Sequence, residues 1–559
     1  MKTKRFSRRT ESSALASGLR WITALVLLTV ALVIPERVGD VRMPDAPRLP
    51  VELPIIVFTL MLFSGRWLTV ARVMIVGILT LLVFFKLAHM AAYFGFDRPF
   101  NPLADTLMLP ILLDVTARAG GVAALIGVVA GVLVLIAIIA GVIAWATGTI
   151  VRGVPRHRRL PAAIAALVFV GLGFTPFATI TAAGFMRDQT HAVVQDVRDA
   201  RVFRADLLKG PFSDVPAQNR LAALKGKDVL LIFVESYGRS SLDHPAYGGR
   251  VRDALKTFDA ALAEKGFGVR SAWAVSPTFG GESYLAHSTV LSGLWIDNRQ
   301  RFAQLLGSGR ETLVSDFNAG GWRTVAVMPA ITEAWPEADF FRYGKIYNGP
   351  DLQYKGGPFE FLTMPDQFTL AAFQTRELAQ IDRPPIMAEI ALLSSHIPWA
   401  PLPQFLPWDE VGDGSIFKTA RTAETPADIW RDKRVEEFYA RSVEYVLQTV
   451  VSFITTYIGD NTLIMVIGDH QPMTFMAGEG VSHEVPMHII SRDAALLTAL
   501  ADESWVVGMM PSASSTAWPM DVFRERFVGA FALQPDQPES SPPETELTPP
   551  VEVPPSQQP

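Results

Sequence analysis

The first third of this 559-residue chain consists of long apolar runs, and they limit its possible folds more than any motif does. The runs lie at about 19–35 (LRWITALVLLTVALVIP), 51–64 (VELPIIVFTLMLFS), 68–94, 121–148 and 160–185. Each approaches the ~20 apolar residues a helix needs to cross a bilayer, the second being short. We read residues 1–186 as a membrane region of five helices. The first run ends in VALVIPERVGD, without a clean small-x-small cleavage site, so it reads as an uncleaved helix. FNPLADTLMLPILLDVTARAGG is apolar but is broken by Pro110 and Asp114, and reads as an interfacial helix.

Basic residues orient these helices. The first twenty residues carry two Lys, four Arg and one acidic residue, and the loop TIVRGVPRHRR carries four Arg. Both are expected on the cytoplasmic side. An odd number of spans then places the remainder outside the cytoplasm, as an extracytoplasmic domain of a multi-pass protein of the cell (inner) membrane. The net charge of −5 argues against a nucleic-acid partner. With no cysteine, disulfides, thiolate metal sites and a cysteine nucleophile are excluded.

Residues 187–225 read as a connecting segment and 226–530 as a globular domain. The Pro- and Glu-rich stretch 531–559 cannot bury a core and is expected to be disordered. Within the domain, DVLLIFV (228–234), RTVAVM (323–328), PIMAEIALL (385–393) and TLIMVI (462–467) are unbroken apolar strands. Helical stretches are expected at 251–265, 283–293, 366–380 and 434–457. The alternation predicts an α/β domain whose mainly parallel sheet is covered by helices on both faces.

The residues just past these strands carry the chemistry. Glu235 comes after the first (VESYG), His396 after the third (SSHIPW), and Asp469 with His470 after the fourth (GDHQP). Ligands of open α/β sheets bind beyond the carboxyl ends of strands. Glu235, Asp469 and His470 together suit a divalent cation such as Mn or Zn, and a hydroxyl could complete the set. Ser283, in TFGGESYLAHSTVLSGLW, offers one at the start of a predicted helix. A metal-bound hydroxyl is an activated nucleophile, and a helix N-terminus favours an anion. The plain alternative is that Ser283 only caps the helix behind two glycines. Thr278, Ser288 and Thr289 are its nearest rivals as nucleophile. His287, one helical turn on, could also face the site, whereas His488 in VPMHII reads as a core residue. His244, Trp335 and Arg342 are open to head-group binding or to packing.

These motifs, with SHEVP and the order of membrane region before domain, resemble the sulfatase-like branch of the alkaline phosphatase superfamily. The resemblance is to its membrane-anchored members, the phosphoglycerol and phosphoethanolamine transferases of the lipoteichoic acid synthase type. It implies a metal held by Glu235, Ser283, Asp469 and His470, with Ser283 catalytic. It also implies that His396 and His483 bind the substrate phosphate or protonate the leaving group. The implied activity moves a head group from a membrane phospholipid donor to a glycan or lipid acceptor through a phospho-Ser283 intermediate. Phosphodiester or sulfate-ester hydrolysis on the same fold is the alternative, and a non-catalytic membrane protein with a degenerate domain is the second. Three features depart from the family: serine stands where these transferases usually have threonine, the disulfides of the phosphoethanolamine branch are absent, and SYLAH lacks the formylglycine sulfatase pattern. MPDQFTL also looks family-like, with no assigned role.

Overall fold

The computed structural model describes residues 2–37, 49–102, 105–172, 178–179, 181–210, 212, 214–359 and 363–532. From position 533 onward, the expected disordered stretch lies outside the described residues.

The helical N-terminal region consists of α1 (Lys2–Val33), α2 (Glu52–Leu62), α3 (Gly65–Phe96), α4 (Leu109–Gly153) and α5 (Arg159–Leu172). Among the described residues, three helical stretches are long and apolar enough to cross a membrane: Ala16–Val33, Gly65–Phe96 and Gly121–Gly153. The expectation of five full spans is not confirmed at its second and fifth members, which form shorter apolar helices among the described residues. α2 has only 11 residues. The fifth run does not continue as one helix to 185, because the short strand β2 (Ala178–Thr179) pairs in parallel with β1 (Leu49–Pro50). A separate helix, α6 (Ala182–Leu207), begins beyond it. From Asp105 onward the apolar stretch expected to be interfacial is helical, and it breaks from the following span at Gly121, whose φ is 71°.

Leu28, Leu60, Leu82, Ile143 and Ala146 pack together inside the helix group. Val73, Ile78, Ile126, Leu133 and Ile138 face outward, as a lipid-facing surface requires. Lys86 is buried among these helices, and its ammonium donates to the carbonyls of Leu32 and Ile34 at 2.9 and 3.0 Å. Those carbonyls lie at the end of α1, where helix carbonyls lack partners and the dipole favours a cation.

The domain is built on β3 (Asp228–Val234), β4 (Gly268–Val275), β5 (Arg323–Met328), β6 (Lys345–Asn348), β7 (Ile386–Leu392), β8 (Thr462–Gly468), β9 (Glu484–Ser491), β10 (Val506–Val507) and β11 (Trp518–Pro519). Their order is β10-β4-β9-β8-β3-β7-β5-β6, with β11 on β4. β8, β3, β7, β5 and β6 are mutually parallel, while β9, β4 and β10 extend the sheet antiparallel. The sheet is therefore mixed. Its antiparallel strands are hard to see in the sequence because Arg270 and Ser271 interrupt β4, and Pro486 and His488 interrupt β9.

The unbroken apolar character of β3 reflects its central place. Leu230, Ile232 and Val234 enter one core and Val229, Leu231 and Phe233 the other, so both faces are covered. The helices Gly248–Glu264 and Val435–Tyr457 pack against one another and line the first core. The second core holds Ala286, Val290 and Leu291 of the helix Ser283–Ser292. The sequence placed four strands and four helices of this domain within a few residues of their observed bounds.

Candidate active site

Strand order explains why residues far apart in sequence meet. β3 lies between β7 and β8, with Val234 in register with both Leu392 and Gly468. The residue after Val234, Glu235, therefore emerges beside Asp469 on one side and the segment leading to His396 on the other. Adjacent strands are about 4.8 Å apart, close enough for their terminal side chains to meet. β9 runs antiparallel to β8, so its start returns to the same edge and brings His483 there.

Glu235, Asp469 and His470 are buried, and each offers a ligand atom within 4.8 Å of the others. The Ser283 hydroxyl donates to Oε2 of Glu235 at 3.0 Å and lies 3.1 Å from Nε2 of His470. Asp469 Oδ1 accepts from the backbone N–H groups of Ser236 and His470, at 2.8 and 2.6 Å. These bonds leave Oδ2 directed to the cluster, 3.6 Å from His470 Nε2. His470 is oriented by its other nitrogen: Nδ1–H donates to the Gln471 carbonyl at 2.7 Å. In the neutral ring, Nε2 then presents a lone pair to Ser283, the tautomer a metal-binding imidazole uses.

The donor set has the chemistry of a cation site. Ser283 has one hydroxyl hydrogen but faces two acceptors, Glu235 Oε2 and His470 Nε2. One lone pair therefore faces another unless a positive charge sits between them. Burial would push the Glu235 carboxyl up, but His470, His396 and the Ser236 hydroxyl hold it down at about 2. Asp469 is pushed well above the usual carboxylate range, first by burial and then by the negative charge of Glu235. Two buried carboxylates side by side resist joint ionisation. A divalent cation removes that conflict, so the residues present fit one.

The capping alternative for Ser283 does not describe what its side chain does. Ser283 is the first helical residue, its hydroxyl faces Glu235 and His470, and Glu282 occupies the cap position without a side-chain cap bond. The rival hydroxyls are engaged by backbone carbonyls: Thr278 by Gly281, Ser288 by Tyr284 and Thr289 by Leu285. The turn is tied to the end of β8 through Gln471, whose carbonyl accepts from Gly280 N–H as well as from His470.

His396 is half-buried at the same edge and contributes to holding Glu235 ionised. His483 stands with its ring 5.2 Å from that of Phe279, in the turn leading to Ser283. No direct bond from either imidazole to Ser283 is present among the described residues. His488 is fully buried between Ser271 (2.7 Å) and Tyr237 (3.2 Å), a core residue as expected.

Two groups escaped the sequence reasoning. Asp366, of the unassigned MPDQFTL stretch, accepts from the N–H groups of Leu393 and Ser394 at 2.7 and 2.9 Å. It thereby holds the segment that carries His396, and burial raises its carboxyl to about 6. Glu389, a buried acid within the apolar strand β7, meets His287 Nδ1 at 2.8 Å and the Tyr343 hydroxyl. The His287 ring also stacks on Phe233 with centroids 3.8 Å apart. The signal for this group was the lone acid in PIMAEIALL, since a buried carboxylate needs a partner.

No family model and no curated protein sequence matches the chain. Among solved structures the chain shows a fold-level similarity, at low identity, to several proteins. The integral membrane lipooligosaccharide phosphoethanolamine transferase A of Neisseria meningitidis is 14% identical, covering 86% of this chain and 87% of its own, with a TM-score of 0.46. The lipoteichoic acid synthase LtaP of Listeria monocytogenes is 12% identical over 52% of this chain and 71% of its own, with a TM-score of 0.36. The phosphoglycerol transferase GacH of Streptococcus pyogenes, in complex with sn-glycerol-1-phosphate, is 13% identical over 54% and 74%, with a TM-score of 0.34.

Proposed function

We propose that the chain is a metal-dependent membrane phosphotransferase. It would move a phosphoglycerol or phosphoethanolamine head group from a phospholipid to a glycan or lipid acceptor. The observation that carries this reading is the Ser283 hydroxyl lying 3.0 Å from Glu235 and 3.1 Å from His470, in a buried cluster completed by Asp469. Apolar helices joined to the domain favour a lipid donor, because anchoring at a bilayer raises the effective concentration of lipid substrate.

Glu235, Ser283, Asp469 and His470 would hold the cation, Mn or Zn. When bound, it lowers the pKa of the serine hydroxyl and stabilises negative charge on the phosphate. Ser283 Oγ bonds to phosphorus as the phosphorus–oxygen bond to diacylglycerol breaks, the serine proton passing to water. The departing oxygen takes a proton from His396 or His483. An acceptor hydroxyl then gives its proton to that histidine and bonds to phosphorus as the Ser283 Oγ–phosphorus bond breaks, and Ser283 Oγ regains its proton from water. Gln471 keeps the His470 lone pair directed inward throughout. The domain would face out of the cytoplasm.

Incubation of the full chain in vesicles with head-group-labelled phospholipid tests this. Label on an acceptor, together with released diacylglycerol, is expected. Label found only as free head group, with every acceptor class supplied, rejects transfer in favour of hydrolysis.

A further inference from the structure

The membrane region reaches into the turn that carries Ser283. The end of α3 packs against it so closely that a Cβ on Gly280 (φ 69°) would collide with the Gly95 carbonyl oxygen. A Cβ on Gly281 would press on the Phe96 ring at 3.2 Å. Beside this contact, Phe94 stacks on Phe475 with ring centroids 5.4 Å apart. Two residues past α3, the Arg98 guanidinium pairs with Asp105 at 2.8 Å and with Glu282 at 3.4 Å.

Glu282 is the residue immediately before Ser283, and its backbone is left-handed, with φ 61° and ψ 39°. A side chain other than glycine disfavours that conformation and holds it only when its surroundings enforce it. The enforcing groups are visible: Glu282 reaches Arg98 on one side and Arg299, 3.5 Å away, on the other. The Tyr284 hydroxyl donates to it at 3.4 Å. An acid at the N-terminal boundary of a helix usually caps the free N–H groups, yet this one is turned to the arginines.

We propose that Arg98 is a positioning residue for Ser283. By pairing with Glu282 it holds the left-handed backbone that aims the Ser283 hydroxyl between Glu235 and His470, so the docked end of α3 completes the catalytic turn. This rests on the reading of Ser283 as the nucleophile.

The test uses the purified full chain in detergent with bis(p-nitrophenyl) phosphate, a soluble diester that needs no lipid recognition. Arg98→Ala is expected to lower kcat by roughly 10–100-fold, the scale set by small misplacements of a reacting group, with KM little changed. Metal content by mass spectrometry should stay at the wild-type level, and Arg98→Lys should restore most of kcat. Glu282→Gln should show a similar loss, and the double variant should lose no more than either single one. Amide hydrogen exchange at 280–285 should accelerate in Arg98→Ala. Unchanged kcat, losses that multiply, a rise in KM alone, or unchanged exchange would each overturn the proposal. If Ser283→Ala keeps wild-type turnover, the nucleophile reading fails by itself, and the exchange measurement still decides whether Arg98 orders the turn.

Discussion

Nε2 of His470 lies 3.1 Å from the Ser283 hydroxyl, and Nδ1 of the same ring is committed to the Gln471 carbonyl at 2.7 Å. One imidazole thus joins the end of β8 to the first residue of a helix 187 positions earlier. Ser283 thus faces Glu235 and His470 side chains rather than backbone, an arrangement whose consequence substitution can test.

Replacing Ser283 with Ala should abolish turnover of any phosphodiester substrate, by roughly 10³-fold or more, as loss of a nucleophile does. Folding should be little affected, because Ser283 caps no backbone group. A steady-state assay with a melting curve on the same sample checks both halves. Wild-type activity in this variant would remove Ser283 from the mechanism.

If Glu235, Asp469 and His470 hold a cation as proposed, Asp469→Asn should release it. Outer-shell changes at metal sites cost roughly 10–100-fold in affinity, and loss of a direct ligand should cost more. Elemental analysis of purified wild type and variant reads this directly. Treatment of the wild type with a chelator should lower both activity and melting temperature, with recovery on adding Mn or Zn.

His396 and His483 stand at the sheet edge, with no hydrogen bond to Ser283 among the described residues. If His396 protonates the leaving oxygen, His396→Gln should slow release of diacylglycerol far more than release of p-nitrophenolate, which leaves without a proton. Equal loss on both substrates would instead assign His396 to phosphate binding.

Burial lowers His488 from its ordinary 6.5 to about 3. Ser271 donates to the Gly508 carbonyl, so it accepts from Nδ1–H, and Nε2 accepts from Tyr237; the folded ring is neutral. Between pH 6.5 and about 3 the unfolded chain binds the extra proton. Stability from this group is therefore complete above pH 6.5 and falls as the pH drops through that window, by on the order of a few kcal/mol in all. Melting curves against pH should show a shallower acid decline for His488→Gln than for wild type.

Gly280→Ala should destabilise the junction between α3 and the turn before Ser283 by at least about 1–3 kcal/mol, since it combines a strained φ with a collision. Gly309, with open space around its Cβ position, is the control: Gly309→Ala should leave the melting temperature unchanged.

Much of this molecule is written locally. Apolar runs of bilayer length identify α1, α3 and the long span of α4. Unbroken apolar strands identify β3, β5, β7 and β8, because a strand covered on both faces has no polar side. Since parallel strands end at one edge, the residues just beyond them, Glu235, His396, Asp469 and His470, are legible as a group in the sequence alone. Only the tertiary structure decided which strand lies beside which. The order β8-β3-β7 puts Asp469 next to Glu235, and the antiparallel return of β9 brings His483 to the same edge. It also decided that Gln471 anchors the turn of Ser283 and that Arg98 reaches Glu282 across 184 positions. Periodicity and composition report a residue's environment along its own helix or strand. Strand neighbours and docked helix ends depend on how distant surfaces pack, which no short stretch encodes alone.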